Sequence, residues 1–149
     1  MQAVLFIGIP GSGKSTFFKE RFFSTHVRIS LDLLKTRYRE QQFLTVCLAN
    51  AQRFVVDNTN STMMERAKYL AAAKAATFSV TGYYFQSQVG DCLRRNSERS
   101  NRVPDVAIFS IAKKLEIPTL AEGFDQLFYV RLIEHDFIVE DWQNEIQRT

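Results

Sequence analysis

Short apolar runs alternate along the chain with longer stretches in which apolar positions recur every three or four residues. Residues 1–7, Met-Gln-Ala-Val-Leu-Phe-Ile, are almost continuously apolar, which predicts a strand covered on both faces. A Gly/Pro/Ser turn spans residues 8–13, and a helix is predicted over 14–23 with Phe17, Phe18 and Phe22 on its core face. Val27-Arg28-Ile29 reads as a second strand. Residues 31–51 read as two helical pieces, with Leu33, Leu34, Tyr38, Phe43, Leu44 and Cys47 inward. Phe54-Val55-Val56 is a third strand, closed by the polar cluster Asp57-Asn58-Thr59-Asn60. Thr62 and Glu65 have capping-box spacing and open a helix to about residue 76, with Met63, Ala67, Leu70 and Ala71 inward.

The second half continues the pattern. Residues 78–85 alternate as a fourth strand, 88–94 are helix-like, and 95–102 are polar throughout and read as a mobile segment. Pro104 suits a first helical turn, Val106, Ala107, Ile111 and Leu115 supply that helix's apolar face, and Pro118 stops it. Residues 127–132 form a fifth strand. Ile138, Trp142 and Ile146 stand four apart and predict a docking helix at the tail. Repeated strand–helix units without internal repeats or linkers imply a parallel sheet with helices on both faces.

Composition narrows the class. A chain of 149 residues and 17.2 kDa suits one domain spanning 1–149. With 46% hydrophobic and 23% charged residues it is globular, which argues against disorder and coiled-coil architecture. No apolar stretch reaches the roughly 18 residues of a membrane span. The start lacks the basic region of a signal peptide. Cys47 and Cys92 are too few for a disulfide scaffold and read as free thiols in a cytoplasmic protein. A net charge of +3 permits a polyanionic partner without requiring one.

The strongest chemical signal is Gly8-Ile9-Pro10-Gly11-Ser12-Gly13-Lys14-Ser15, which fits G-x-x-x-x-G-K-[ST] in full between a strand and a helix. Glycines let successive main-chain N–H groups turn toward phosphate oxygens, and the following helix adds its positive end. Lys14 should reach the β- and γ-phosphates of ATP, and the Ser15 hydroxyl should ligate magnesium. The chain therefore reads as an α/β P-loop NTPase-type three-layer sandwich on a central five-stranded parallel sheet. No Asn-Lys-x-Asp or Asp-x-x-Gly motif supports a GTPase, and the chain is short for a remodelling ATPase. A small P-loop kinase remains.

A kinase needs a group to receive the acceptor's proton, and the carboxyl ends of neighbouring strands are where it belongs. Asp32, after the second strand, is either that base or a helix cap. Asp57, ending the third strand, is suited to hold magnesium through water or to orient Ser15, or is a turn-former; Asn58 and Asn60 are turn residues by default. Arg94, Arg95, Arg99 and Arg102 form either a solvated loop or a lid, over 94–103, that neutralises charge on the transferred phosphoryl group. Arg28, Lys35, Arg37, Arg39 and Arg66 could contact a phosphodiester backbone or simply keep the surface soluble. His26, His135 and Trp142 read as structural.

Four segments resemble the kinase domain of polynucleotide 5′-hydroxyl kinases, both the phage enzyme and the mammalian polynucleotide kinase–phosphatase. They are the loop from Gly8 through Thr16, Val55-Val56-Asp57-Asn58-Thr59-Asn60, Arg95-Asn96-Ser97-Glu98-Arg99 with Val103-Pro104, and Pro118-Thr119-Leu120-Ala121-Glu122-Gly123-Phe124. The resemblance runs to about Leu132. It implies Lys14, Asp32 as general base, and Arg99 as the catalytic set. It implies ATP held by Gly8, Pro10, Gly11, Ser12, Gly13, Lys14, Ser15, Thr16, Arg95 and Arg99, and Mg2+ by Ser15 and Asp57. Asp32, Lys35, Asp57 and Asn60 would face the acceptor, a 5′-hydroxyl of DNA or RNA.

Departures accompany it. The family has Arg just before the base, where Leu31 stands here, and the phage enzyme has Arg at the position of Lys35, which keeps charge but loses the bidentate fork. The family's Asp-x-Asp phosphatase nucleophile is absent, which implies a stand-alone kinase. Two other readings stay open: the same machinery with a small-molecule hydroxyl acceptor (nucleoside, sugar or antibiotic), and an ATP-binding interaction module without a transfer substrate.

Overall fold

A computed structural model describes residues 1–143. Its central sheet has six strands in the order β2-β3-β1-β4-β5-β6. β1 (Gln2–Ile7), β2 (Val27–Ile29), β3 (Phe54–Val56), β4 (Ser79–Phe85) and β5 (Gln126–Ile133) pair in parallel. β6 (Asp136–Asp141) runs antiparallel to β5. The five predicted parallel strands are present, and the sixth is added at one edge.

That sixth strand corrects the tail. Ile138 lies in β6 rather than in a helix, Trp142 follows it and packs edge-on against Tyr84 with 5.8 Å between ring centroids, and Ile146 lies outside the described residues. Phe137-Ile138-Val139 is β-branched and aromatic, and β5 offers an open edge, so strand pairing prevails over a four-residue spacing. The hairpin turns on Glu134 (φ 58°) and His135.

β1 shows why a continuous apolar run needs layers on both sides. Ala3, Leu5 and Ile7 enter one core with Leu44 and Cys47 of α3 (Arg37–Ala49), Tyr69, Leu70 and Ala73 of α4 (Met63–Ala75), Cys92 of α5 (Val89–Ser97) and Ile108 of α6 (Asp105–Lys114). Val4 and Phe6 enter the other, against Phe17 and Phe18 of α1 (Lys14–Arg21) and the following Phe22. The three phenylalanines are core, as their spacing predicts. Phe6 and Phe17 approach at 5.7 Å, within a cluster that includes Phe85 and Tyr83.

The two helical pieces after β2 are α2 (Leu31–Leu34) and α3. Their inward faces differ from the periodicity reading. Leu44 and Cys47 are buried, but Leu33, Tyr38 and Phe43 are exposed, and Glu40 is buried instead. In α4, Leu70 points inward as expected, whereas Met63, Ala67 and Ala71 face out and Arg66 and Tyr69 face in. Arg66 is wholly buried. It pairs with Glu122 at 2.8 Å and donates to the main-chain oxygens of Asn60 and Glu116, so it is a structural tie rather than a surface cation. In α6, Ile108 is buried and Val106 exposed. Thr62 caps α4 by accepting from Glu65 N, while Glu65 returns its bond to Ser61 N rather than to Thr62.

Of the groups read as structural, His26 bonds Gln2 and Thr25 and lies edge-on to Phe22, and His135 is exposed. Cys47 and Cys92 are buried free thiols. Among the described residues, no helix is long and apolar enough to cross a membrane.

Candidate active site

The Gly8–Ser15 loop leaves the carboxyl end of β1 and enters α1. Two of its glycines have left-handed backbone, Gly11 at φ 84° and Gly13 at φ 100°. A Cβ at Gly11 would stand 2.5 Å from the Cys92 carbonyl oxygen, so α5 packs directly on the loop's main chain. The loop is also tied to its neighbours: Gly8 N donates to Thr59 O at 3.0 Å and Ile9 N to Ser87 Oγ at 3.1 Å.

Lys14 folds back over this cradle. Its ammonium donates to Gly8 O at 2.9 Å and Ile9 O at 3.0 Å, and its side chain is almost fully buried. Burial pushes its pKa down to about 8, against the opposing pull of the Asp57 carboxylate. The charges of Arg99 and Asp32 also act on this ammonium, Arg99 lowering its pKa and Asp32 raising it.

Asp57 directly follows β3 and is 5% exposed. Its Oδ2 accepts from Ser15 Oγ at 3.1 Å and from Arg28 Nε at 2.8 Å, and Arg28 Nη2 donates to Ser15 Oγ at 3.1 Å. Ser15 and Asp57 are therefore adjacent, as read from sequence. Arg28 is an addition: its sequence position suggests a phosphodiester contact or a solubilising surface charge, and its guanidinium instead holds Asp57 and Ser15. A signal existed: an arginine between Val27 and Ile29 in a strand beside a buried carboxylate needs a counter-charge. The Ser15 hydroxyl and Asp57 carboxylate are hard oxygen donors of the kind magnesium takes alongside phosphate and water, so the residues present fit that ion.

Asp32 sits in the first turn of α2, exposed. It is not the cap: the N-cap is Ser30, and Leu31 N is accepted by Asn58 Oδ1 at 2.9 Å. Lys35 ends α2, exposed, with φ 76°. Asn60 is buried and donates to Phe6 O at 2.8 Å, so its amide secures the turn after β3 to β1 instead of facing an acceptor. Pro10 and Thr16 lie in the loop and first helical turn, and Ser12 is buried.

The arginine-rich segment begins inside α5, which continues through Ser97. Arg95 Nη1 donates to Gly11 O at 3.0 Å, placing a guanidinium on the loop. Asn96 is fully buried and clasps Val103 through both main-chain groups, at 2.7 and 3.0 Å, closing the loop 98–102 that follows α5. Arg94 pairs with Asp91 and Arg102 with Asp105, each on the surface.

Comparison with known proteins agrees with this geometry. The Schizosaccharomyces pombe protein named bifunctional polynucleotide phosphatase/kinase is 26% identical over 130 residues, covering 83% of this chain and 32% of its own length. This chain therefore spans about a third of that relative. A gluconokinase from Sinorhizobium meliloti superposes with TM-score 0.62 at 15% identity, covering 87% of this chain and 82% of its own. Chaetomium thermophilum Kti12 in complex with ADP-AlF3 gives 0.61 at 18%, covering 87% and 88%. Both share the fold. The family described as AAA domain, AAA_33, matches residues 34–118, more than half of the chain. This chain belongs to that family and has the fold of a P-loop kinase domain.

Proposed function

We propose that this domain moves the γ-phosphate of ATP to the 5′-hydroxyl of a DNA or RNA end, with magnesium. The observation that carries the reading is the Asp32 carboxylate, exposed in the first turn of the short helix that follows β2 and uncommitted to helix capping. The name of the S. pombe relative supports the acceptor class.

In this scheme the loop N–H groups and Lys14 bind the phosphates. Lys14 exchanges its carbonyl partners for β- and γ-phosphate oxygens. Ser15 and Asp57 would hold magnesium, which would supply positive charge to the phosphates during transfer. Asp32 accepts the proton of the acceptor hydroxyl. That oxygen bonds to the γ-phosphorus as the bond to the β,γ-bridging oxygen breaks, and ADP departs with the electron pair. Arg95 and Arg99 face the spreading negative charge from the lid side.

A small-molecule hydroxyl acceptor is the second reading, favoured by Leu31 and Lys35 where the resemblance implies arginines. Transfer of labelled γ-phosphate to matched 5′-hydroxyl DNA and RNA oligonucleotides separates the two. Labelling that falls steeply with added salt supports the polynucleotide acceptor, because several phosphate contacts release counterions on binding. Absence of labelling, by protein that binds ATP, rejects it.

A further inference from the structure

The first turn of α2 is secured by a residue from another strand's end. Ser30 has the extended backbone of a capping residue (φ −141°, ψ 132°), yet its hydroxyl makes no cap bond and is buried without a hydrogen-bond partner. The Leu31 N–H is held by Asn58 Oδ1 instead, at 2.9 Å. Asp32 is the next residue. A four-residue helix has few bonds of its own, here Leu34 N to Ser30 O and Lys35 N to Leu31 O, so outside anchors decide where it sits.

The orientation of the Asn58 amide is dictated from behind. Its Nδ2 donates to Glu40 Oε2 at 2.8 Å, and Glu40 is 2% exposed. Tyr69 OH, also buried, donates to Glu40 Oε1 at 2.6 Å, and Arg37 Nη1 donates to the same oxygen at 3.1 Å. Burial alone would raise the Glu40 pKa, but the bonds from Tyr69 and Asn58 and the charge of Arg37 outweigh it and hold the group below its ordinary value. An ionised carboxylate only accepts, so the amide turns its nitrogen to Glu40 and its oxygen to α2.

We infer that Asn58 is a positioning residue: braced by Glu40 and Tyr69, it fixes the first turn of α2 and with it the Asp32 carboxylate. The inference rests on the reading of Asp32 as the base, and its test is arranged so that the two can fail separately. Hydrogen–deuterium exchange needs no acceptor. In Asn58→Ala, amides of residues 31–35 should exchange about tenfold faster while residues 8–16 keep their rates. Unchanged exchange at 31–35, or an equal rise through α3 and α4, overturns the inference.

Transfer assays give the second readout. Asn58→Ala should lower kcat by up to about 100-fold with KM for ATP within about twofold, since misplacing one reacting group spares nucleotide binding. The loss should vanish in an Asp32→Asn background. Asn58→Asp, isosteric and usable if the alanine variant does not fold, sets a carboxylate against Glu40 and should lose activity. Adding Glu40→Gln restores a donor to it and should recover most of the rate. Failure of that rescue, or an undiminished loss without Asp32, rejects positioning. Full transfer by Asp32→Asn rejects the base and leaves the exchange result to stand by itself.

Discussion

Arg28 and Asp57 form an ion pair at 2.8 Å that also engages Ser15, so the two oxygen donors suited to magnesium are already tied to an internal guanidinium. The pair joins β2 to the residue that follows β3 and sets a guanidinium against a nearly buried carboxylate. It also means that a divalent ion approaching Ser15 and Asp57 meets a resident cation.

Arg28→Gln should therefore tighten divalent binding. Partly exposed ion pairs contribute up to about 1 kcal/mol, so the metal concentration for half-saturation should fall severalfold. Manganese binding in the presence of ATP, followed by electron paramagnetic resonance, reads this without catalysis. An unchanged or weaker affinity would show that Arg28 does not compete with the metal.

Gly11 and Gly90 make a matched pair. Alanine at Gly11 takes a left-handed backbone and brings its Cβ 2.5 Å from Cys92 O, whereas nothing lies within 4 Å of a Cβ at Gly90, inside α5. Gly11→Ala should lower the melting temperature and cost more than tenfold in ATP affinity, because the ~1–3 kcal/mol of backbone strain falls on the loop itself. Gly90→Ala should stabilise by about 0.5–1 kcal/mol through helix propensity, with ATP affinity unchanged. Calorimetry on both variants checks the contrast.

Arg66→Ala should cost about 3–5 kcal/mol of stability, the usual penalty for stranding one partner of a buried pair, here Glu122. Urea unfolding measures it. A variant of normal stability that instead showed a shallower salt dependence of oligonucleotide binding would restore Arg66 to the surface role that its sequence position suggested.

Glu40 links stability to acid. Its folded pKa lies below the ordinary carboxylate value, so its contribution is complete above about pH 4.5 and is lost as pH falls through the folded value. Glu40→Gln should be less stable at neutral pH and lose less stability than the parent on acidification. Parallel acid-unfolding curves for the two proteins would refute this linkage.

The order of strands and helices, the phosphate loop and the acids at strand ends were legible because they are local. Hydrophobic period and turn chemistry depend on neighbours in sequence, and Val27–Ile29 and Phe54–Val56 end where the pattern says they end. Helix faces were less legible. Periodicity assumes that only apolar groups turn inward, and Glu40 and Arg66 break that rule because each is satisfied by partners far along the chain. The tail helix failed for a related reason: strand pairing is decided by which edge is open, and no single segment carries that information.

The amino-acid sequence by itself determined an α/β chain with a nucleotide loop, since glycine spacing, lysine and an apolar strand act within a dozen residues. Only tertiary structure decided which groups surround that loop. Arg28 beside Asp57, Cys92 against Gly11, and Asn58 holding Leu31 join residues from 27 to 81 positions apart, and each exists because buried charge and main-chain polar groups must find partners wherever the fold brings them.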